Sequence, residues 1–282
     1  MTAAIQLTRC GLRPLLFEAG TPGGLVRNGA WIENYPGFPA GIAGEDLARL
    51  FRRQCRQFAV PCRRERVTEL DYLPGKERFR IRTASGAWTA PFVVLGSGTS
   101  PNPFPPARRW PGRIRDRVLF EILPLKNSRG KRMLVIGASD AAFDYAVSLS
   151  RRNRVWILNR GSCHGAIPPL AAAVLKNPSI CYWKNTELKD VAWFGRRLKA
   201  TVRREKELAE LIVDYIIPAV GRQPQKSFYT ARLGSLEDSL LRKGRLHLVG
   251  DVRNDRFRQV SIAVGDGMRA AMQIARAVRG EA

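Results

Sequence analysis

The residues of this chain best suited to chemistry sit where apolar runs meet glycines. Met133-Leu134-Val135-Ile136-Gly137-Ala138-Ser139-Asp140-Ala141-Ala142 reads as a buried strand, a glycine turn and a helix start. Amide N–H groups at such a helix start can hold a pyrophosphate, and the helix dipole adds to the attraction. The usual spacing for this work is Gly-x-Gly-x-x-Gly/Ala. Here Ser139 stands at the middle glycine, where it either crowds a pyrophosphate or donates its hydroxyl to it. The next apolar run, Val155-Trp156-Ile157-Leu158, ends at Asn159-Arg160, where a dinucleotide fold meets the adenosine ribose. Asn159 suits a ribose hydroxyl. Arg160 suits a phosphate, or is a solvated arginine at a strand end.

Two other stretches have a similar character. Leu246-His247-Leu248-Val249-Gly250-Asp251 places a carboxylate after a strand, with Arg258-Gln259 beyond it and Gly265-Asp266-Gly267 opening a final helix. Asp251 suits a polyol hydroxyl, and backbone N–H groups near Gln259 and Val260 suit a carbonyl-rich ring. Near the other end, Gly23-Gly24-Leu25 lets the backbone approach a flat ligand. Asn34, within Trp31-Ile32-Glu33-Asn34-Tyr35-Pro36-Gly37, offers both a donor and an acceptor. Each piece alone is a common turn.

The elements that must position these residues are short apolar runs alternating with helical patterns. Strands are predicted at 15–18, 92–95, 133–136, 155–158, 213–220 and 246–249, and helices at 44–58, 141–152 and 264–279. A shorter helix is predicted around Ala3–Leu7. Such alternation implies parallel sheets with crossover helices. Alternating polar and apolar residues at Phe79–Thr83 and Leu198–Arg203 predict antiparallel hairpins. The expected fold class is α/β, with one nucleotide-binding domain inserted in another.

The 282 residues carry 48 Lys and Arg against 24 Asp and Glu, a net charge of +24. A field this positive attracts polyanions or an acidic protein, unless the arginine excess is only codon bias. The basic residues are dispersed from Arg9 to Arg279, and no recognition helix, zinc knuckle or aromatic RNA-binding motif accompanies them, so nucleic acid is not the expected partner. No run approaches the ~20 apolar residues of a membrane span. Five cysteines (Cys10, Cys55, Cys62, Cys163 and Cys181) form no Cys-x-x-Cys, and two histidines rule out a histidine-rich metal centre. Unpaired thiols point to a reducing cytoplasm.

Taken together, Glu18-Ala19-Gly20, Gly23-Gly24-Leu25, Glu33-Asn34-Tyr35-Pro36-Gly37-Phe38-Pro39, Gly96-Ser97-Gly98-Thr99, Gly137–Ala142, Ala219-Val220-Gly221-Arg222, Gly250-Asp251 and Arg258-Gln259 follow one another in a specific order. In this the chain resembles the thioredoxin-reductase-like branch of the FAD- and NAD(P)-dependent pyridine nucleotide oxidoreductases. The resemblance implies two Rossmann-like, three-layer domains: an FAD-binding domain from 1–103 and 246–282, and an NAD(P)-binding domain from 104–245. It implies that Glu18 binds the FAD ribose, and that Gly23, Gly24, Leu25 and Asn34 line the flavin. Val67 would touch adenine through its backbone, Asp251 the ribityl chain or pyrophosphate, and Gln259 and Val260 the flavin ring. Gly137, Ala138, Ser139, Asp140, Ala141 and Ala142 would cradle the nicotinamide nucleotide, and Arg160 would meet an NADP phosphate. Gly98 and Gly221 would mark the turns linking the domains. The cofactors are FAD and NAD(P)H, the assembly a homodimer, and no catalytic side chain or metal is called for, because the cofactors carry the chemistry.

Three departures modify these expectations. The segment where the family places its disulfide, Arg117-Val118-Leu119-Phe120-Glu121-Ile122-Leu123, has no cysteine. That removes the exchange route to thioredoxin and turns attention to the ferredoxin–NADP reductase type, with an acidic ferredoxin as partner. The segment Asn159–Gly165 holds glycines where further phosphate-binding arginines are usual. Finally, Met1-Thr2-Ala3-Ala4 aligns just after the family's first glycine loop. The resemblance therefore implies either that the true start lies upstream of Met1, the favoured alternative because the distal FAD motifs remain readable, or an FAD-binding domain that lacks the loop and central strand that hold the pyrophosphate. This last departure and Ser139 keep open a second reading, a non-catalytic nucleotide-binding relative.

Overall fold

The computed structural model describes residues 1–254 and 256–280. The chain divides into two compact units, one of residues 1–27, 32–100 and 223–282, the other of residues 28–31 and 101–222. The first crossing lies near the expected 103/104. The second falls at 222/223 rather than 245/246. The reason is the helix Ala231–Arg242, not anticipated from sequence, which buries Leu233 and Leu240 in the same core as Leu70, Phe79 and Leu246. Its N-cap is Thr230, whose hydroxyl accepts from Leu233 N–H at 3.2 Å.

The inserted unit is a three-layer arrangement. Its central sheet is parallel, in the order Ile180–Trp183, Arg154–Leu158, Arg132–Ile136, Tyr215–Pro218. Alternation along each strand explains the layers. Met133 and Val135 face a cluster with Phe143, Ala146 and Leu149 of the helix Asp140–Ser150 and Val174 of the helix Pro168–Lys176. Leu134 faces the opposite cluster with Leu198, Val202 and Val213. Those three belong to an antiparallel sheet of Thr186–Phe194, Arg197–Arg204 and Glu207–Val213. The strand predicted at 213–220 is therefore two elements. Glu207–Val213 ends the antiparallel sheet, buried Asp214 takes Arg132 N–H at 2.8 Å and breaks the run, and Tyr215–Pro218 joins the parallel sheet.

The other unit is less regular. Its parallel strands form two separate pairs, Leu16–Phe17 with Cys62–Arg63 and Leu246–Leu248 with Val93–Leu95. An antiparallel sheet of Glu69–Leu73, Arg78–Thr83 and Gly86–Ala90 adjoins them. The helices are Thr2–Arg9, Gly44–Gln57, Ala231–Arg242 and Val260–Arg279. The last begins four residues before its predicted start, so Gly265 and Gly267 lie inside it rather than opening it. Gly267 is needed for packing: a Cβ there would stand 3.3 Å from Ala3 N, against the first helix. Asp71, fully buried, is bound by Thr230 Oγ1 at 2.6 Å, by Arg80 at 3.2 Å and by the Arg232 guanidinium.

Candidate nucleotide sites

In the inserted unit, Gly137 adopts φ +129, and a Cβ there would stand 2.4 Å from the Ala219 carbonyl oxygen. Only glycine lets the turn pass so close to the neighbouring strand's end. Gly137 N–H donates to Leu158 O at 2.9 Å, and Gly165 N–H to Ala138 O at 2.8 Å, which brings the 159–165 loop against the turn. Ser139 is the N-cap of the helix Asp140–Ser150, yet its side chain makes no bond to that helix. Ser139, Asp140 and Ala141 are exposed, and their segment bridges the 159–165 loop at Gly165; the amides of a helix's first turn have no acceptor within the helix. Ala142 is fully buried and packs in the core. Asp140 is occupied structurally: its Oδ1 accepts Ile167 N–H at 2.7 Å.

Asn159 is 6% exposed. Its Nδ2 donates to Cys163 O and to Tyr182 Oη, both at 2.8 Å, and its Oδ1 accepts Gly161 N–H at 3.0 Å. It shapes the loop, and both of its N–H donors are taken. Arg160 is exposed beside it and is the one cation between positions 155 and 175.

In the discontinuous unit, Asn34 Nδ2 donates to Gln259 Oε1 at 2.9 Å, joining two residues 225 positions apart. Both are exposed, and Gln259 is the N-cap of the helix Val260–Arg279 without a side-chain cap bond. The first turn of that helix, Val260, Ser261 and Ile262, follows directly on the Asn34–Gln259 pair. Gly250, at φ +69, lets the preceding strand approach Ala263 to a would-be Cβ distance of 3.0 Å. Asp266 locks this turn, accepting Gly250 N–H at 3.1 Å and Asn254 Nδ2 at 2.7 Å. Asp251 is half-buried in that turn.

The other sequence candidates have less open settings. Glu18 Oε1 accepts Gly20 N–H at 2.8 Å. Gly23, at φ +125, is pressed on the helix Gly44–Gln57, with a would-be Cβ 2.7 Å from Ala48 Cβ, whereas Gly24 faces open space. Leu25 is half-buried in the short helix Gly24–Asn28. Val67 packs against the core of Leu70 and Phe79. Gly98, at φ +68, accepts Gln225 N–H at 3.0 Å through its carbonyl. Gly221, at φ +94, leaves room for Asn102, whose Nδ2 would stand 2.8 Å from an added Cβ.

One cluster escaped the sequence reading. Glu121, in the segment without cysteine, accepts from Arg222 Nη1 at 2.7 Å, from Asn28 Nδ2 at 2.5 Å and from Tyr145 Oη at 3.4 Å. Burial and the nearby Glu121 charge push the Tyr145 phenol above its usual pKa of 10.0. The available signal was the arginine of Ala219-Val220-Gly221-Arg222, whose glycine alone drew attention. All five cysteines are free. Burial raises the Cys55 and Cys62 thiols above their usual 9.0, the opposite of an activated thiolate. Among the described residues no cluster of three His, Cys, Asp or Glu could hold a metal, and no helix is long and apolar enough to cross a membrane.

The donor sets fit two ligands of different character. An exposed helix start in the same unit as the exposed Arg160 suits a phosphorylated nucleotide. Exposed amides beside a side-chain amide pair suit the carbonyl edge of a flavin. A family model described as pyridine nucleotide-disulphide oxidoreductase matches residues 36–237. The thioredoxin reductase of Treponema pallidum is 30% identical over 291 residues, spanning 96% of this chain and 91% of that protein. The mitochondrial thioredoxin reductase 1 of Arabidopsis thaliana is 28% identical over 297 residues, spanning 96% of this chain and 79% of its own. The solved thioredoxin reductase of Lactococcus lactis superposes with a TM-score of 0.85 at 25% identity, over 100% of this chain and 95% of that one. With both nucleotide-type helix starts formed and a family match across most of its length, this chain belongs to the pyridine nucleotide-disulphide oxidoreductases, a family of FAD and nicotinamide-nucleotide enzymes.

Proposed function

We propose that this chain is an FAD-dependent NAD(P)H oxidoreductase that delivers electrons to an acceptor other than the thioredoxin disulfide. The flavin, when bound, supplies the chemistry: it takes hydride from the nicotinamide and passes electrons on. The protein's own part is placement. Asn34, Gln259 and the amides of Val260 and Ser261 hold the carbonyl edge of the ring, Gly24 and Leu25 lie along it, and Asp251 meets the ribityl hydroxyls. The exposed amides at Ser139–Ala141 hold the nicotinamide nucleotide's pyrophosphate, and Arg160 its adenosine end.

The observation that carries this reading is the Asn34–Gln259 pair at 2.9 Å, set at the open start of a 20-residue helix. Two exposed amides meeting there form an organised donor–acceptor edge. The exclusion of a dithiol route rests on the cysteine-free segment 117–123 and on five free thiols. A surface with net charge +24 complements an acidic electron-transfer protein such as a ferredoxin.

The test is to purify the full chain, supply FAD, and follow flavin absorbance on adding NADPH or NADH. Bound flavin that bleaches supports the proposal. A chain that leaves FAD free, with its melting temperature unmoved, overturns it.

A further inference from the structure

The inserted unit has a second concave site at the opposite edge of its parallel sheet. Its strands all run the same way, so Gly137 and Asn159 stand at their carboxyl ends, while Arg132 and Arg154 begin theirs. At this amino edge lies a cleft of about 400 Å³, lined by Lys131, Arg132, Arg151, Arg152 and Arg154, with no acidic residue in its wall. All five cations are exposed, and among the described residues none forms an ion pair.

The arrangement works against the fold's own electrostatics. Arg132 and Arg154 are direct register partners on adjacent strands, and like charges placed so repel one another. The nearest carboxylates are engaged elsewhere. Asp214 accepts the Arg132 main-chain N–H at 2.8 Å and lies 3.5 Å from Arg197. Asp144 feels the Arg151 charge but takes a hydrogen bond from the Ala30 backbone. The negative end of the helix Asp140–Ser150 accounts for Arg151 and Arg152. It does not account for Lys131, Arg132 and Arg154, which come from a loop and two strand starts.

The cleft is also held in shape. Asn153, 8% exposed, donates to Leu149 O at 2.9 Å and to Ser128 O at 3.2 Å, and accepts Lys131 N–H at 3.0 Å. Gly130 N–H donates to Arg152 O at 2.8 Å. One buried amide thus ties together the two stretches that carry the cations, 131–132 and 151–154.

We propose that this cleft binds a compact polyphosphate anion. Its volume lies in the range of small-ligand sites. Its wall holds no aromatic face on which a nucleobase would stack, so recognition falls on the phosphate groups alone. Pairing with such an anion would relieve a repulsion that the fold offsets only in part, through the Arg154 guanidinium lying 5.5 Å over the Trp156 ring.

Titration calorimetry of the full chain with sodium tripolyphosphate tests this, alongside the double variant R152Q/R154Q, a second double variant K131Q/R151Q, and R196Q, which removes an exposed arginine in the turn between Thr186–Phe194 and Arg197–Arg204. All three variants replace exposed side chains with polar ones, and a thermal melt of each verifies folding. Binding that weakens at least tenfold in either double variant and is unchanged in R196Q supports the proposal. Binding equal to wild type in both folded double variants overturns it, as does an equal loss in R196Q. A single-stranded oligonucleotide that binds through these arginines while tripolyphosphate fails to compete also overturns it, assigning the surface to nucleic acid.

Discussion

Glu121 Oε1 accepts a charge-assisted hydrogen bond from Arg222 Nη1 at 2.7 Å, across 101 positions of sequence. Asn28 and Tyr145 complete the shell around the same carboxylate, and Asn28 Oδ1 also accepts Leu123 N–H at 3.2 Å. The segment that lacks cysteine is therefore pinned by a polar cluster. Arg222→Met should leave Glu121 short of its cation and cost about 1–2 kcal/mol, the low end for a partly exposed pair. Urea unfolding followed by tryptophan fluorescence measures it, and a loss below about 0.3 kcal/mol would show the pair to be energetically idle.

The Gly137 turn gives a sharper expectation. Gly137→Ala forces a side chain into φ +129 and onto the Ala219 carbonyl. The variant should lose at least about 2 kcal/mol and bind the nicotinamide nucleotide measurably more weakly. Unchanged stability and unchanged nucleotide affinity together would mean the turn is neither tight nor used.

Arg160 is exposed, with no other cation between positions 155 and 175. Arg160→Gln should raise KM for NADPH about tenfold while leaving KM for NADH nearly unchanged, because only NADPH carries the extra phosphate. Equal effects on both coenzymes would remove Arg160 from phosphate recognition.

Two carboxyls, Asp71 buried and Asp144 half-buried, pull stability in opposite directions with pH. The Arg232 guanidinium, with Thr230, lowers the Asp71 carboxyl from 3.8 to about 2. Its stabilising contribution is present above about pH 4 and disappears as pH falls toward 2, a loss of about 2 kcal/mol. Burial raises Asp144 from 3.8 to about 6. Its neutral form suits the fold, so stability is greatest below about pH 4 on this group's account and declines as pH rises through 6. Asp144→Asn, which keeps an oxygen for the Ala30 N–H, should raise stability at pH 8 by about 2 kcal/mol and have little effect at pH 4. Thermal melts from pH 3 to 9 read both limbs, and an Asp144→Asn profile parallel to wild type would contradict the second.

The sequence made much of this visible because local chemistry and tertiary role agreed. The apolar runs at Arg132–Ile136 and Arg154–Leu158 are strands buried on both faces, and such runs are hard to mistake. Gly137 and Gly250 are legible because a strand running into a helix needs a residue that tolerates positive φ. Asn34 and Gln259 were singled out separately, and the fold brings them into contact. What stayed hidden depended on partners far along the chain. The helix Ala231–Arg242 is the exception, because Leu233, Leu236, Leu240 and Leu241 recur at helical spacing, and only the distant core they join lay beyond a local pattern. Asn159 looked like a ribose ligand, yet Tyr182 and the Cys163 carbonyl occupy it. The Glu121 cluster draws on four segments, which no local pattern joins.

In the proposed chemistry bound flavin is the sole two-electron centre. Anaerobic reductive titration of the FAD-loaded full chain with NADPH puts this to the test. Complete bleaching of the flavin band after about two electrons per flavin is the expected result. Uptake of about four electrons before full reduction would reveal a redox-active disulfide and contradict it, as would a flavin that NADPH and NADH both fail to reduce.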